Sequence, residues 1–285
     1  VKDNAQALIG NKNPVNDRGE NKAAKRANNL NGKEWLKNSI SIWNDIAKTP
    51  EEKNAGHPAS FPKSLAKRII ETFTTEDKKR ILDPFLGIGT TLLAGQELNK
   101  EGIGFEISEN YIKIARELLE SNKPLGHQGL PQRIYPYDSR RLAAYIEPES
   151  IDLCFTSPPY WNVLAQKRSA DRKEIRNYNT LEDNLGEIDS YERFLGELKV
   201  VFEQVFQVMK RGSYCIINVM DLRKKKKFYP LHMDVVKFMQ EIGYIFDDLI
   251  IWDRRQDYNN LKPLGYPYVF RINRIHEYLL IFIKE

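Results

Sequence analysis

Ile151-Asp152-Leu153-Cys154-Phe155-Thr156-Ser157-Pro158-Pro159-Tyr160-Trp161 is the stretch on which the fold turns. Its first five residues are an apolar run of the kind that makes a short buried strand, and the run gives way to hydroxyls, two prolines and two aromatics. Neither proline can donate to a sheet ladder, and each holds the residue before it extended. Ser157 and Pro158 are therefore expected to project stiffly beyond the strand's carboxyl end, which in an open α/β sheet is where ligands bind. Such a tip leaves carbonyls unpaired, and the serine hydroxyl adds another acceptor. Ser157 and the Pro158 carbonyl can together hold a planar amino group, with Tyr160 as a flat surface beside it. Two acceptors on its hydrogens, and an aromatic face near the developing positive charge, make such an amine a better nucleophile. The competing reading is a proline-rich turn that merely ends a core strand.

Outward from this run, strand-like segments recur at 80–82, 102–106, 133–135, 213–219, 249–252 and 278–283, with helical periods at 63–72, 91–99, 108–120, 191–209 and 231–242. The alternation predicts an α/β fold, a mainly parallel seven-stranded sheet with helices on both faces. Residues 1–34, rich in Asn, Lys and Ala, read as a flexible or partner-dependent arm, either a basic strand-tracking tail or a solvated one. Trp35, Ile40, Ile42, Trp43 and Ile46 then supply apolar anchors, so the main domain is taken as 35–285.

With 285 residues, 41% of them hydrophobic, the chain can bury a sizeable core, and its net charge of +5 suits a polyanionic partner without requiring one. Cys154 and Cys215 sit inside apolar runs, and no Cys/His spacing suggests a disulfide framework or a metal site. That fits a reducing cytoplasm. No apolar run reaches the roughly 18 residues of a membrane span and no signal peptide is visible, so secretion and membrane insertion are disfavoured. The chain begins at Val1 without Met, as a processed or trimmed piece would.

A second motif, Asp83-Pro84-Phe85-Leu86-Gly87-Ile88-Gly89-Thr90-Thr91, follows the first strand and opens a helix. There, glycines let a ligand approach the backbone. It lacks the third glycine of the dinucleotide fingerprint and the Gly-Lys-Ser/Thr of a phosphate loop, which favours a nucleoside ligand without pyrophosphate. Glu106 ends the second strand where an acidic group takes a ribose hydroxyl pair. Asp138-Ser139 ends the third, where a carboxylate can meet an adenine amino group. Each acid alone could be a helix cap; three at successive strand ends favour a ligand.

Together, Asp-Pro-Phe-x-Gly-x-Gly-Thr-Thr and Thr-Ser-Pro-Pro-Tyr-Trp resemble the S-adenosylmethionine-dependent DNA amino-methyltransferases, and their cytosine-N4 branch in particular, where Ser typically opens the tetrapeptide. The resemblance covers about 57–285. It implies a Rossmann-like methyltransferase fold with an antiparallel C-terminal strand, S-adenosyl-L-methionine as cofactor, and double-stranded DNA as partner. A cognate restriction endonuclease is a further implied partner; the oligomeric state is not implied. The catalytic set becomes Ser157, Pro158, Pro159 and Tyr160. The cofactor set becomes His57, Pro58, Phe61, Asp83, Pro84, Phe85, Gly87, Gly89, Thr90, Glu106, Ile107, Asp138, Ser139 and Ser157. Trp161, Lys167, Arg168, Asn218, Asp221, Arg223, Arg254 and Arg271 are the candidates for touching the target, and loops 162–190 and 253–275 are candidate DNA-contact insertions. Here Gly87 precedes Ser157, the reverse of the commonest order in Ser-Pro-Pro-Tyr enzymes, and the family includes such circular permutations.

The resemblance implies a flipped cytosine whose amine takes the sulfonium methyl in one displacement. A carbon-5 methyltransferase would need an exposed Cys, whereas Cys154 lies inside the strand and reads as core. Two alternatives stay open: an amino-methyltransferase acting on adenine-N6 or on RNA, and a non-catalytic nucleic-acid-binding module.

Overall fold

The computed structural model describes residues 26–50, 52, 61–123, 129–162, 184–257 and 261–285. Eight strands form one sheet: β1 (Ile42–Trp43), β2 (Arg80–Asp83), β3 (Glu101–Phe105), β4 (Gln132–Tyr135), β5 (Ile151–Thr156), β6 (Met209–Val219), β9 (Tyr244–Asp253) and β10 (His276–Lys284). Their spatial order is β1-β9-β10-β6-β5-β2-β3-β4, and a separate hairpin pairs β7 (Leu222–Lys224) with β8 (Lys227–Tyr229). The helices are α1 (Gly32–Asn38), α2 (Lys63–Phe73), α3 (Thr90–Glu97), α4 (Glu109–Ser121), α5 (Tyr191–Val208) and α6 (Leu231–Ile242).

Period-two alternation in the buried strands separates two apolar faces. Leu82, Cys154, Cys215, Ile217, Leu280 and Phe282 face one core with Phe194, Leu198 and Phe202 of α5 and Val235 of α6. Ile81, Leu153, Phe155, Ile216, Leu279 and Ile281 face the other, with Leu65, Ile69 and Ile70 of α2. Each such fully buried side chain is worth about 1.5–3 kcal/mol relative to exposure. Because both faces are covered, the central strands read as continuous apolar runs.

Seven of the eight strands are the ones expected. The eighth, β1, has two residues and adds in parallel to the β9 edge, where Ile42 pairs Ile251 and Trp43 pairs Trp252. It also corrects the anchor set. Trp43 and Ile46 are buried, but Trp35, Ile40 and Ile42 are 48%, 53% and 49% exposed, because an edge strand and a short surface helix each cover one side only. Packing also starts before residue 35: Asn31 caps α1 in a capping box, and the Asn28 amide donates to the Thr72 carbonyl at 2.9 Å. Residues 1–25 of the expected arm lie outside the described residues.

β10 runs antiparallel between β6 and β9, as the resemblance implies. The strand order reverses between β2 and β5, so their carboxyl ends open a crevice at a topological switch point.

Candidate active site

The glycine loop and the serine tip meet across that crevice. Thr156, the last residue of β5, donates from its hydroxyl to Asp83 Oδ1 at 2.6 Å, and Thr91 at the start of α3 donates to Oδ2 at 2.6 Å. The Phe85 amide also donates to Asp83 Oδ1. Asp83 is 1% exposed, and burial lifts its carboxyl to about 6 despite those three donors. Its oxygens brace the loop, the helix and the tip, and this expected cofactor residue is buried among them. Pro84, Thr90 and Ser139 are likewise buried, whereas Phe85, Gly87, Glu106, Ile107 and Asp138 keep partly open surfaces.

Gly87 and Gly89 take left-handed backbone, with φ of 55° and 88°. A Cβ on Gly89 would stand 3.0 Å from the Ala115 Cβ, so this glycine also lets α3 approach α4. Glu106 reaches back from the β3 end to accept from the Gly87 amide and, through its other oxygen, from the Ser108 amide, each at 2.8 Å. Burial raises its carboxyl to about 7, against the opposing effect of those amides. Asp138 caps the turn Ser139–Ala144 and pairs with Arg140, which also reaches Glu197. Beside it, Tyr137 stacks on Tyr145 at 4.4 Å with both rings partly open, a flat surface that the sequence reading passed over. These residues fit a nucleoside: a glycine turn, a partly open carboxylate and exposed aromatic faces. His57 and Pro58 lie outside the described residues. Phe61, also of the expected cofactor set, is a core residue packed on Phe155 at 4.8 Å.

At the tip, Ser157 and Pro159 are half-buried, and among the described residues no backbone amide donates to the Pro158 carbonyl. Ser157 Oγ lies 3.1 Å from the Tyr160 hydroxyl and 3.2 Å from the Asn218 carbonyl oxygen. Tyr160 is buried to 9% exposure and donates its hydroxyl to Glu277 Oε2 at 2.9 Å. Asn218 Nδ2 donates to the same carboxylate oxygen, and Arg254 pairs with the other. Burial first, and then the Glu277 charge, push the Tyr160 phenol well above its ordinary range. Glu277 was missed at the sequence level, although an acid next to the apolar run Tyr278-Leu279-Leu280-Ile281 is a signal.

Three target candidates are engaged within the chain. Trp161 is 4% exposed, set edge-on to Tyr191 at 5.3 Å with the Lys224 ammonium 4.1 Å from its ring centre. Asp221 is 5% exposed and 2.6 Å from His232 Nδ1, tying the β6–β7 turn to α6. Arg254 is occupied by Glu277 and Asp257. Their polar or aromatic character serves long-range packing that local sequence does not display. Arg223 lies exposed on the β7–β8 hairpin, and Arg271 is half-buried in the β9–β10 connection; Lys167 and Arg168 lie outside the described residues. Cys154 is fully buried, and burial pushes its thiol up, as its core reading expects.

Fold and site together define an α/β protein whose glycine loop and Ser-Pro-Pro-Tyr tip meet in a crevice at the carboxyl ends of central strands. The chain belongs to the DNA methylase family (N6_N4_Mtase), whose profile matches residues 2–117 and 151–285. It is 35% identical over 147 residues to the type II methyltransferase M.MthZI of Methanothermobacter thermautotrophicus, covering 49% of this chain and 41% of that one. It is 37% identical over 90 residues to M.ScaI of Streptomyces caespitosus, covering 30% and 29%. The chain thus spans well under two thirds of these relatives' length. The crystal structure of TrmN from Thermus thermophilus shares the fold, with a TM-score of 0.50, 12% identity, and 82% of this chain and 52% of that one covered. Among the described residues no helix is long and apolar enough to cross a membrane.

Proposed function

We propose that this chain moves a methyl group from S-adenosyl-L-methionine to the N4 amine of a cytosine extruded from double-stranded DNA. The observation that carries the reading is the Thr156–Asp83 hydrogen bond, which holds the Ser157 tip against the glycine loop. Bound at that loop, the cofactor supplies an electrophilic methyl on a sulfonium. Glu106 would accept from the ribose hydroxyls, and Phe85 and Gly87 would flank the donor. Ser157 Oγ and the Pro158 carbonyl accept the two amine hydrogens, which keeps the nitrogen lone pair available and aimed. In that transfer the N–C bond formed would replace the donor's S–C bond, the donor would depart as a neutral thioether, and the amine would release one proton to water. Extrusion of the base costs roughly a few kcal/mol, offset by contacts in the crevice.

The chain is expected to act within a restriction-modification system. Incubation with labelled cofactor and plasmid DNA, followed by nucleoside analysis, tests the reading. N4-methylcytosine supports it; N6-methyladenine, or labelled RNA alone, would move the target. Ser157→Ala and Tyr160→Ala should each abolish transfer while sparing cofactor binding, and full turnover in both would refute the assignment.

A further inference from the structure

The tip does not stand alone: its hydroxyls belong to a chain of hydrogen bonds that ends on a buried carboxylate contributed by the last strand. Glu277, 3% exposed, pairs across the sheet with Trp252 of β9, and its neighbour Tyr278 pairs with Val219 of β6. That register places the Glu277 side chain under Tyr160 and Asn218. A carboxylate only accepts, and three donors converge on this one: the Tyr160 hydroxyl, Asn218 Nδ2 and the Arg254 guanidinium. Arg254, stacked 4.9 Å from the Trp252 ring centre, balances its charge.

The consequence concerns direction. Tyr160 has one proton and commits it to Glu277, so toward Ser157 the phenol oxygen can only accept. Asn218 is pinned with its amine side toward the carboxylate and also lies 3.4 Å from Ser157 Oγ. The Ser157 proton is left two inward acceptors, the Tyr160 oxygen at 3.1 Å and the Asn218 main-chain carbonyl at 3.2 Å. One of the Ser157 lone pairs is then left for a ligand hydrogen. An amine about to become a nucleophile needs acceptors on its hydrogens, and a serine that turned its own proton outward would oppose it.

We infer that Glu277, held by Arg254, is the positioning residue that orders these hydrogen bonds so that Ser157 accepts from the target amine. This rests on the amino-methyltransferase reading above. It adds that the acceptor character of the tip is imposed from β10, far from the tetrapeptide in sequence.

Glu277→Gln tests it. Arg254 claims the one oxygen a carboxamide retains, so the amide NH2 faces Tyr160 and Asn218 and reverses the chain. Turnover on duplex DNA should fall roughly a hundred- to a thousandfold, as when an aligned transition-state hydrogen bond is removed. Calorimetric affinity for S-adenosylmethionine should stay within about twofold, because the cofactor's own partners are unaltered. Tyr160→Phe keeps the ring and removes the relay, so it should lose turnover similarly, and adding E277Q to it should cost little more. Multiplying losses, or full turnover in either single variant, would overturn the inference, and Y160F decides it should E277Q fail to fold. In tyrosine-13Cζ spectra the resonance absent from Y160F should shift in E277Q, and an unmoved signal also counts against it. No methylation by the unaltered chain would remove the amino-transfer reading itself, whereas normal methylation with an unimpaired E277Q removes this inference alone.

Discussion

The Glu106 carboxyl braces the glycine loop and, in the proposed reading, also takes the cofactor ribose. Its raised value near 7 reflects a charge partly withdrawn from water. A group whose value is raised in the folded chain favours the protonated form there, so its contribution to stability is full below its ordinary value and is lost as pH rises through about 7. Urea midpoints should therefore fall between about pH 5 and pH 8 more steeply in the native chain than in Glu106→Gln. Cofactor affinity should run the other way, rising over the same window as the ribose-accepting carboxylate ionises, and flatten in E106Q. Trp161 supplies a second residue-scale expectation. Its ring is enclosed by Tyr191 and Tyr229, so Trp161→Ala should cost about 3–5 kcal/mol in urea unfolding. A role in touching the target alone would leave stability unchanged and weaken only DNA binding.

At the scale of elements, the glycine loop is where backbone geometry and helix packing coincide. Gly89 precedes α3 with left-handed φ, and any Cβ there meets Ala115 of α4. Gly89→Ala should destabilise by roughly 1–2 kcal/mol from the backbone alone, plus the cost of separating α3 from α4. A denaturation midpoint equal to that of the native chain would show that the loop relaxes freely. The need for glycine was legible in the motif, and so were the strand before it and the helix after it, because local periodicity and turn chemistry depend on near neighbours. The short β1 was not, since two residues carry no period, and its pairing is decided by the edge that β9 leaves open.

Across the whole molecule, charge gathers at the edge that carries the tip. The β7–β8 hairpin presents Arg223, Lys225, Lys226 and Lys227 in the open, and Arg274 lies over Phe228 at 4.6 Å, joining the hairpin to the connection before β10. On that connection Tyr268 and Phe270 are 91% and 89% exposed. A basic ribbon with free aromatic rings suits a nucleic-acid backbone and its bases. Lys225→Ala with Lys226→Ala should weaken DNA binding and reduce the slope of log K against log salt by about 2, near 0.9 for each phosphate left without its cation. An unchanged slope in filter binding would place the duplex elsewhere.

Read alone, the chain determined the alternating α/β plan, the glycine loop, the Ser-Pro-Pro-Tyr tip and the core status of Cys154, since each is written in spacings of a few residues. The tertiary structure decided which polar groups face the crevice. Asp83, Asp221, Trp161 and Arg254 look functional in one dimension, and in three each is also tied to partners on other elements. Glu277 moves the opposite way: it stands 117 residues from Tyr160, and only the insertion of an antiparallel β10 beside β6 brings the two within hydrogen-bonding reach.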